Sequence, residues 1–242
     1  MNTSLSYRIL LLLMALLILI SCQDDNSVTE ELDLNGFSSK QMVTDRHGNT
    51  YIIGYDQVSS INQDPFIEKR NSEDEVVWRI RYEESPPDGK GELITLDTDN
   101  ETPIAIFTID GGSNDATYIT RHKIEDGAFD NVFQNSYGSG GGPSVTIIAR
   151  INPENGHIKK ATFLTARLNN GNTNTLRAEE IRVTGNTVDI LARSAAWPPG
   201  EGNSYQRFPN ITDEDRVDGA FLLYYEFSKD FSEIKRAVLR RE

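Results

Sequence analysis

Along most of the chain apolar and polar residues alternate with the period of two that an extended strand imposes. In Val76 to Tyr82 the apolar Trp78, Ile80 and Tyr82 share one face, and Arg79 and Arg81 take the other. The same pattern recurs in Phe221 to Phe227. Two further runs, Ile104 to Ile109 and Val145 to Ala149, are apolar on both faces, which predicts strands covered on both sides. Helical periodicity is almost absent; Ser232 to Arg241 reads equally as a helix or as a final strand. The pattern predicts an all-β protein.

Turn chemistry divides these runs at regular intervals. Gly48-Asn49 sits between Val43-Thr44 and Tyr51-Ile52-Ile53, and Asp74, Asn100 and Asp126 follow at steps of 26 residues. Asn155-Gly156 and Gly185-Asn186 continue at steps of 29 and 30, and a last turn falls near Lys229-Asp230. Two hairpins make a repeat of 52 residues, in which Asp45 to Ile53 corresponds to Asp97 to Ala105. Such a repeat predicts a β-propeller-like array of four-stranded antiparallel units, because one small sheet cannot bury both of its faces without neighbours. The alternative is a β-sandwich or an irregular barrel.

These residues carry a resemblance. Val43 to Gly54, with its Asp45, Gly48, Asn49, Tyr51 and Gly54, resembles half of the bacterial β-propeller repeat of the SBBP type. Asp64 to Trp78 and Ile148 to Ile158 are similar to its other half, with Lys69 aligned to Arg150, Asn71 to Asn152 and Asp74 to Asn155. Glu75 stands where that repeat has a turn glycine. The resemblance implies a propeller fold and no single activity.

The N-terminus departs from the alternating pattern. Arg8 precedes an unbroken apolar run, Ile9 to Ile20, which at 12 residues suits a signal-peptide core and is short for a membrane span. It ends in Leu19-Ile20-Ser21-Cys22, which resembles a bacterial lipobox, and Cys22 is the single cysteine of the chain. The resemblance implies lipidation at Cys22 by palmitate-type acyl chains, and hence a place in the bacterial cell envelope, periplasmic or at the surface. Residues 1–21 are then the signal peptide, 22–40 an acidic tether containing Asp24, Asp25, Glu30, Glu31 and Asp33, and 41–242 the β domain.

A formal net charge of −13 disfavours a nucleic-acid partner. His47, His122 and His157 stand singly, without metal-ligand spacing, and no nucleophile elbow or phosphate loop occurs. No catalytic residue is expected. Asp97, Asp99 and Glu101 alternate as the oxygen ligands of a calcium loop do, but without its glycine and distal glutamate, so a solvated hairpin turn is the stronger expectation. Ser194 to Gly219 interrupts the turn series with Trp197, Tyr205, Arg207 and Phe208. A connection of that length is expected either to bind something or to cover a sheet edge. As a binding surface it would offer flat aromatic faces and Arg207 to a glycan or a protein partner. Asp213, Glu214 and Asp215 beside it predict a neutral or basic partner. The expectation from sequence is a lipid-anchored, extracytoplasmic binding module, with a glycan-processing hydrolase using carboxylates in a propeller funnel as the alternative.

Overall fold

A computed structural model describes residues 32–60, 62–82, 89–110, 123–140 and 143–241. By its internal contacts the chain divides into Met1–Asn35 and Gly36–Glu242. Of the first unit, 32–35 are described; Asn35 donates backbone and side-chain N–H to Asp33 Oδ1 at 2.9 and 2.7 Å.

The second unit begins within the segment assigned to the acidic tether. Ser38 pairs with Ile181, the Phe37 ring packs edge-on to Tyr224, and Lys40 O accepts the Ile94 N–H. Fourteen strands follow: β1 (Met42–Thr44), β2 (Thr50–Gln57), β3 (Gln63–Arg70), β4 (Val76–Arg81), β5 (Gly89–Leu96), β6 (Pro103–Asp110), β7 (Ser144–Ile151), β8 (Ile158–Leu164), β9 (Ala166–Arg167), β10 (Thr173–Asn174), β11 (Leu176–Val183), β12 (Thr187–Ser194), β13 (Phe221–Ser228) and β14 (Ile234–Arg240). One 3-10 turn, Asp213–Asp215, is the sole helical element among the described residues. Ser232 to Arg241 therefore contributes a strand, paired with β13.

The strands form three antiparallel meanders of four, β1–β4, β5–β8 and β11–β14, with β9 and β10 as a small separate pair. The second and third meanders join as one sheet through a single parallel pairing, Val145 to Leu176. Thr146 Oγ1 strengthens that seam, donating to Leu176 O and accepting from Ala178 N–H, each at 2.9 Å. Among the described residues the sheets do not close into a ring.

Alternation decides which face meets which neighbour. On β7, Val145, Ile147, Ala149 and Ile151 join Tyr51, Ile53, Ile67 and Tyr82 of the first meander in one core. Ile148, with Ile104 and Ile106 of β6, joins Ile181, Ile190, Leu223 and Phe227 of the third meander in the other. The two central strands of the middle meander, β6 and β7, are thus covered on both faces, which is why they lack a polar face. The far face of the first meander is polar: Arg79 pairs with Asp56 and Glu68, Arg70 with Glu68, and Arg81 with Asp64.

Six of the seven expected turns join consecutive strands. The β1–β2 turn shows the local cause: Asp45 Oδ1 accepts the N–H groups of His47 and Asn49, both at 2.9 Å, and Gly48 adopts a φ of 81°. Asp126 departs from the series. It lies in a segment running beside β8, where Ile158 and Ala161 pair through their N–H groups with Lys123 O and Ala128 O, and Phe163 with Gln134 O. That segment covers the outer edge of β8, and an exposed strand edge invites unwanted pairing.

Candidate functional site

The connection from β12 to β13 is built rather than loose. Trp197 exchanges backbone hydrogen bonds with Arg167 of β9 at 2.9 and 3.0 Å. The chain then doubles back on itself, with Gly200 N–H donating to Gln206 O at 2.7 Å and Phe208 N–H to Pro198 O at 2.9 Å. Pro198 and Pro199 suit this extended entry, since proline fixes φ there at little entropic cost. Gly202 and Ile234 exchange backbone bonds of 2.9 and 2.8 Å, which pins the connection to the edge strand β14. Thr212 caps the 3-10 turn with a reciprocal Asp215 contact. Arg216 closes the base, donating to Ala195 O and Gly219 O and pairing with Asp213 at 2.8 Å.

The aromatic residues singled out from sequence are half-buried. Trp197 and Phe208 pack on the core, and the Trp197 ring lies 5.5 Å from that of Phe221. Tyr205 donates its hydroxyl to Trp197 O at 2.9 Å and carries the Arg167 guanidinium 4.0 Å from its ring centre. Burial pushes the Tyr205 phenol above its usual pKa, against the opposing pull of Arg167 and Arg207. Arg207 alone of the four projects to solvent, its guanidinium 3.4 Å from the centre of the Trp197 ring.

What the connection does present is a cavity of about 400 Å³, lined by Gly200, Glu201, Gln206 to Pro209 and, from β14, Ala237. Arg207 and Phe208 belong to this lining; Trp197 and Tyr205 stand behind it as support. Glu201 Oε1 accepts the Ala237 N–H at 3.2 Å, so the carboxylate is held toward the β14 edge. Gln206 and Ala237 carried no signal in the sequence, because their role comes from the fold-back and from the nearness of β14. Two of the three acidic residues are ion-paired in place: Asp213 with Arg216, Asp215 with Arg241 at 3.3 Å.

The Asp97-Asp99-Glu101 turn is an ion-pair node. Asp97 is fully buried between Arg150 Nη1 at 2.7 Å and Lys229 Nζ at 2.9 Å. Asp99 also meets Lys229, and Glu101 meets Arg46 at 3.0 Å. Each carboxylate that the sequence offered to calcium thus faces a cation. Among the described residues no three His, Cys, Asp or Glu side chains gather as a metal site. His47 and His157 lie in the β1–β2 and β7–β8 turns; His122, Cys22 and the apolar N-terminal run lie outside the described residues.

The fold and the site together define an all-β antiparallel protein with a supported surface cavity at one sheet edge. No known protein family and no curated protein matches the chain.

Proposed function

We propose that this is a lipid-anchored, extracytoplasmic binding module: a propeller-like array whose β12–β13 connection receives a glycan or a partner surface. Cys22, at the end of the apolar run, is the proposed acylation site. Three successive four-stranded meanders, each packed on the next, support the propeller-like reading. The observation that carries the binding reading is the cavity beside Ala237. It is rimmed by exposed polar groups, while Trp197 and Phe208 anchor its walls to the core. A seat held rigid before the ligand arrives loses little entropy on binding.

Two measurements test this reading. In a bacterial host, labelled fatty acid should enter the wild-type protein and not Cys22→Ser; equal labelling would refute the anchor. Full-length protein in detergent should bind members of a panel of neutral and acidic oligosaccharides. Phe208→Ala should weaken that binding, and Val77→Ser, on the exposed β4 edge, should leave it unchanged. No binding across the panel, or loss in both variants alike, would refute the seat.

A further inference from the structure

The cavity lining holds both a guanidinium, Arg207, and a carboxylate, Glu201, which form no ion pair with each other. Glu201 is engaged by the Ala237 N–H, and Arg207 lies flat over Trp197. Stacking on the indole fixes the plane of the guanidinium and leaves its N–H edge uncommitted. Among the described residues Arg207 finds no hydrogen-bond acceptor and no ion-pair partner, whereas Arg216 in the same connection has both. A protein of formal charge −13 has carboxylates to spare, yet among the described residues none is placed on this arginine. The Gln206 side chain, next to it and exposed, is likewise without a partner among the described residues. The nearby acidic run adds less opposing field than its sequence suggests, because Arg216 and Arg241 neutralise two of its members.

We infer that the cavity recognises a ring-sized ligand through a carboxylate, which the Arg207 guanidinium clasps in a two-point contact. Phe208, Pro209 and the Ala237 methyl offer the apolar wall for the ring, and Gln206 offers donor and acceptor for its hydroxyl or carbonyl groups. A planar guanidinium matches a carboxylate at two oxygens at once, which a point charge cannot do. The volume of about 400 Å³ is that of a small-ligand seat. This inference rests on the binding reading above and reverses one expectation from the sequence: the preferred ligand is anionic, not neutral or basic.

The test titrates full-length protein in detergent with glucuronate and with its methyl ester, which keeps the ring and removes the charge. Benzoate and an N-acetylated amino acid present the same carboxylate on other bodies. Side-chain NMR of the arginine Nε–H groups reports which guanidinium is engaged, with the Arg207 signal assigned by its absence in Arg207→Gln. The expected result is that an acid binds at least about tenfold more tightly than its ester, with Arg207 Nε–H shifted, and that Arg207→Gln and Arg207→Lys each lose about tenfold. Tryptophan fluorescence of both variants checks that the connection stays folded. Whichever carboxylate binds best identifies the body that the wall accepts. Equal binding of acid and ester, abolished by Phe208→Ala, would overturn the carboxylate inference and leave the binding reading standing. Acid binding that Arg207→Gln does not weaken would also overturn it. If no ligand shifts Arg207 and Phe208→Ala changes nothing, both fall together.

Discussion

Arg150 Nη1 meets Asp97 Oδ2 at 2.7 Å, tying β7 to the β5–β6 turn at a point fully closed to solvent. Lys229, from the β13–β14 turn, holds the other carboxylate oxygen at 2.9 Å. One buried charge therefore clamps the middle meander to the third. Burial alone would raise the Asp97 pKa, but hydrogen bonds from Lys229, the Asp99 N–H and Arg150 outweigh it and bring it below the usual value.

A carboxylate whose pKa is lowered on folding contributes stability above its unfolded pKa, near 3.9, and loses that contribution as pH falls through the folded value. Asp97→Asn should therefore cost about 3 kcal/mol at pH 7, the low end for removing one partner of a buried pair. Its stability should also fall less steeply than that of the wild type below pH 4. Urea unfolding at a series of pH values measures both. Parallel acid limbs in the two proteins would show that Asp97 is not held ionised.

The approach of the first meander to the second depends on a missing side chain. A Cβ on Gly91 would lie 2.3 Å from Ile53 Cγ1 and 2.8 Å from Gly54 O, whereas one on Gly185 would meet nothing within 4 Å. Gly91→Ala should cost about 1–3 kcal/mol through overpacking. Gly185→Ala, in the β11–β12 turn, should stay within about 0.5 kcal/mol. Chemical denaturation of the two variants side by side checks the difference.

Trp197 distinguishes a supporting wall from an exposed platform. Packed on Phe221 and the core, it should lose about 3 kcal/mol of stability when changed to alanine. An aromatic ring displayed to solvent would lose no more than about 0.5 kcal/mol. Removing residues 195–219 should be still more damaging, because Gly202 would no longer cover the β14 edge at Ile234. Thermal or urea unfolding of the two variants decides between these outcomes.

Much of the fold was legible in the sequence because strands and turns are local. The alternation in Val76 to Tyr82 correctly separated the face of Trp78, Ile80 and Tyr82 from the arginine face. The doubly apolar runs marked β6 and β7 as strands buried on both sides. Asp126 misled because a polar turn looks the same beside a covered edge as between two strands. The Trp197 region was recognisable as unusual from its length and aromatics, but its cavity was not. The contact of Glu201 with Ala237 spans 36 residues, and that of Asp99 with Lys229 spans 130. Pairings at such separations leave no periodic trace, and whether an aromatic faces in or out depends on them.

The central claim is that the cavity between the β12–β13 connection and β14 is where this protein meets its ligand. Hydrogen exchange of the full-length protein, with and without the carboxylate that binds best in the titration series, tests it most directly. The account predicts added protection in residues 200–209 and around Ala237, abolished by Arg207→Gln, with the polar far face of β2–β4 unchanged. Protection centred on that far face, or protection at the cavity that survives Arg207→Gln together with Phe208→Ala, would contradict it.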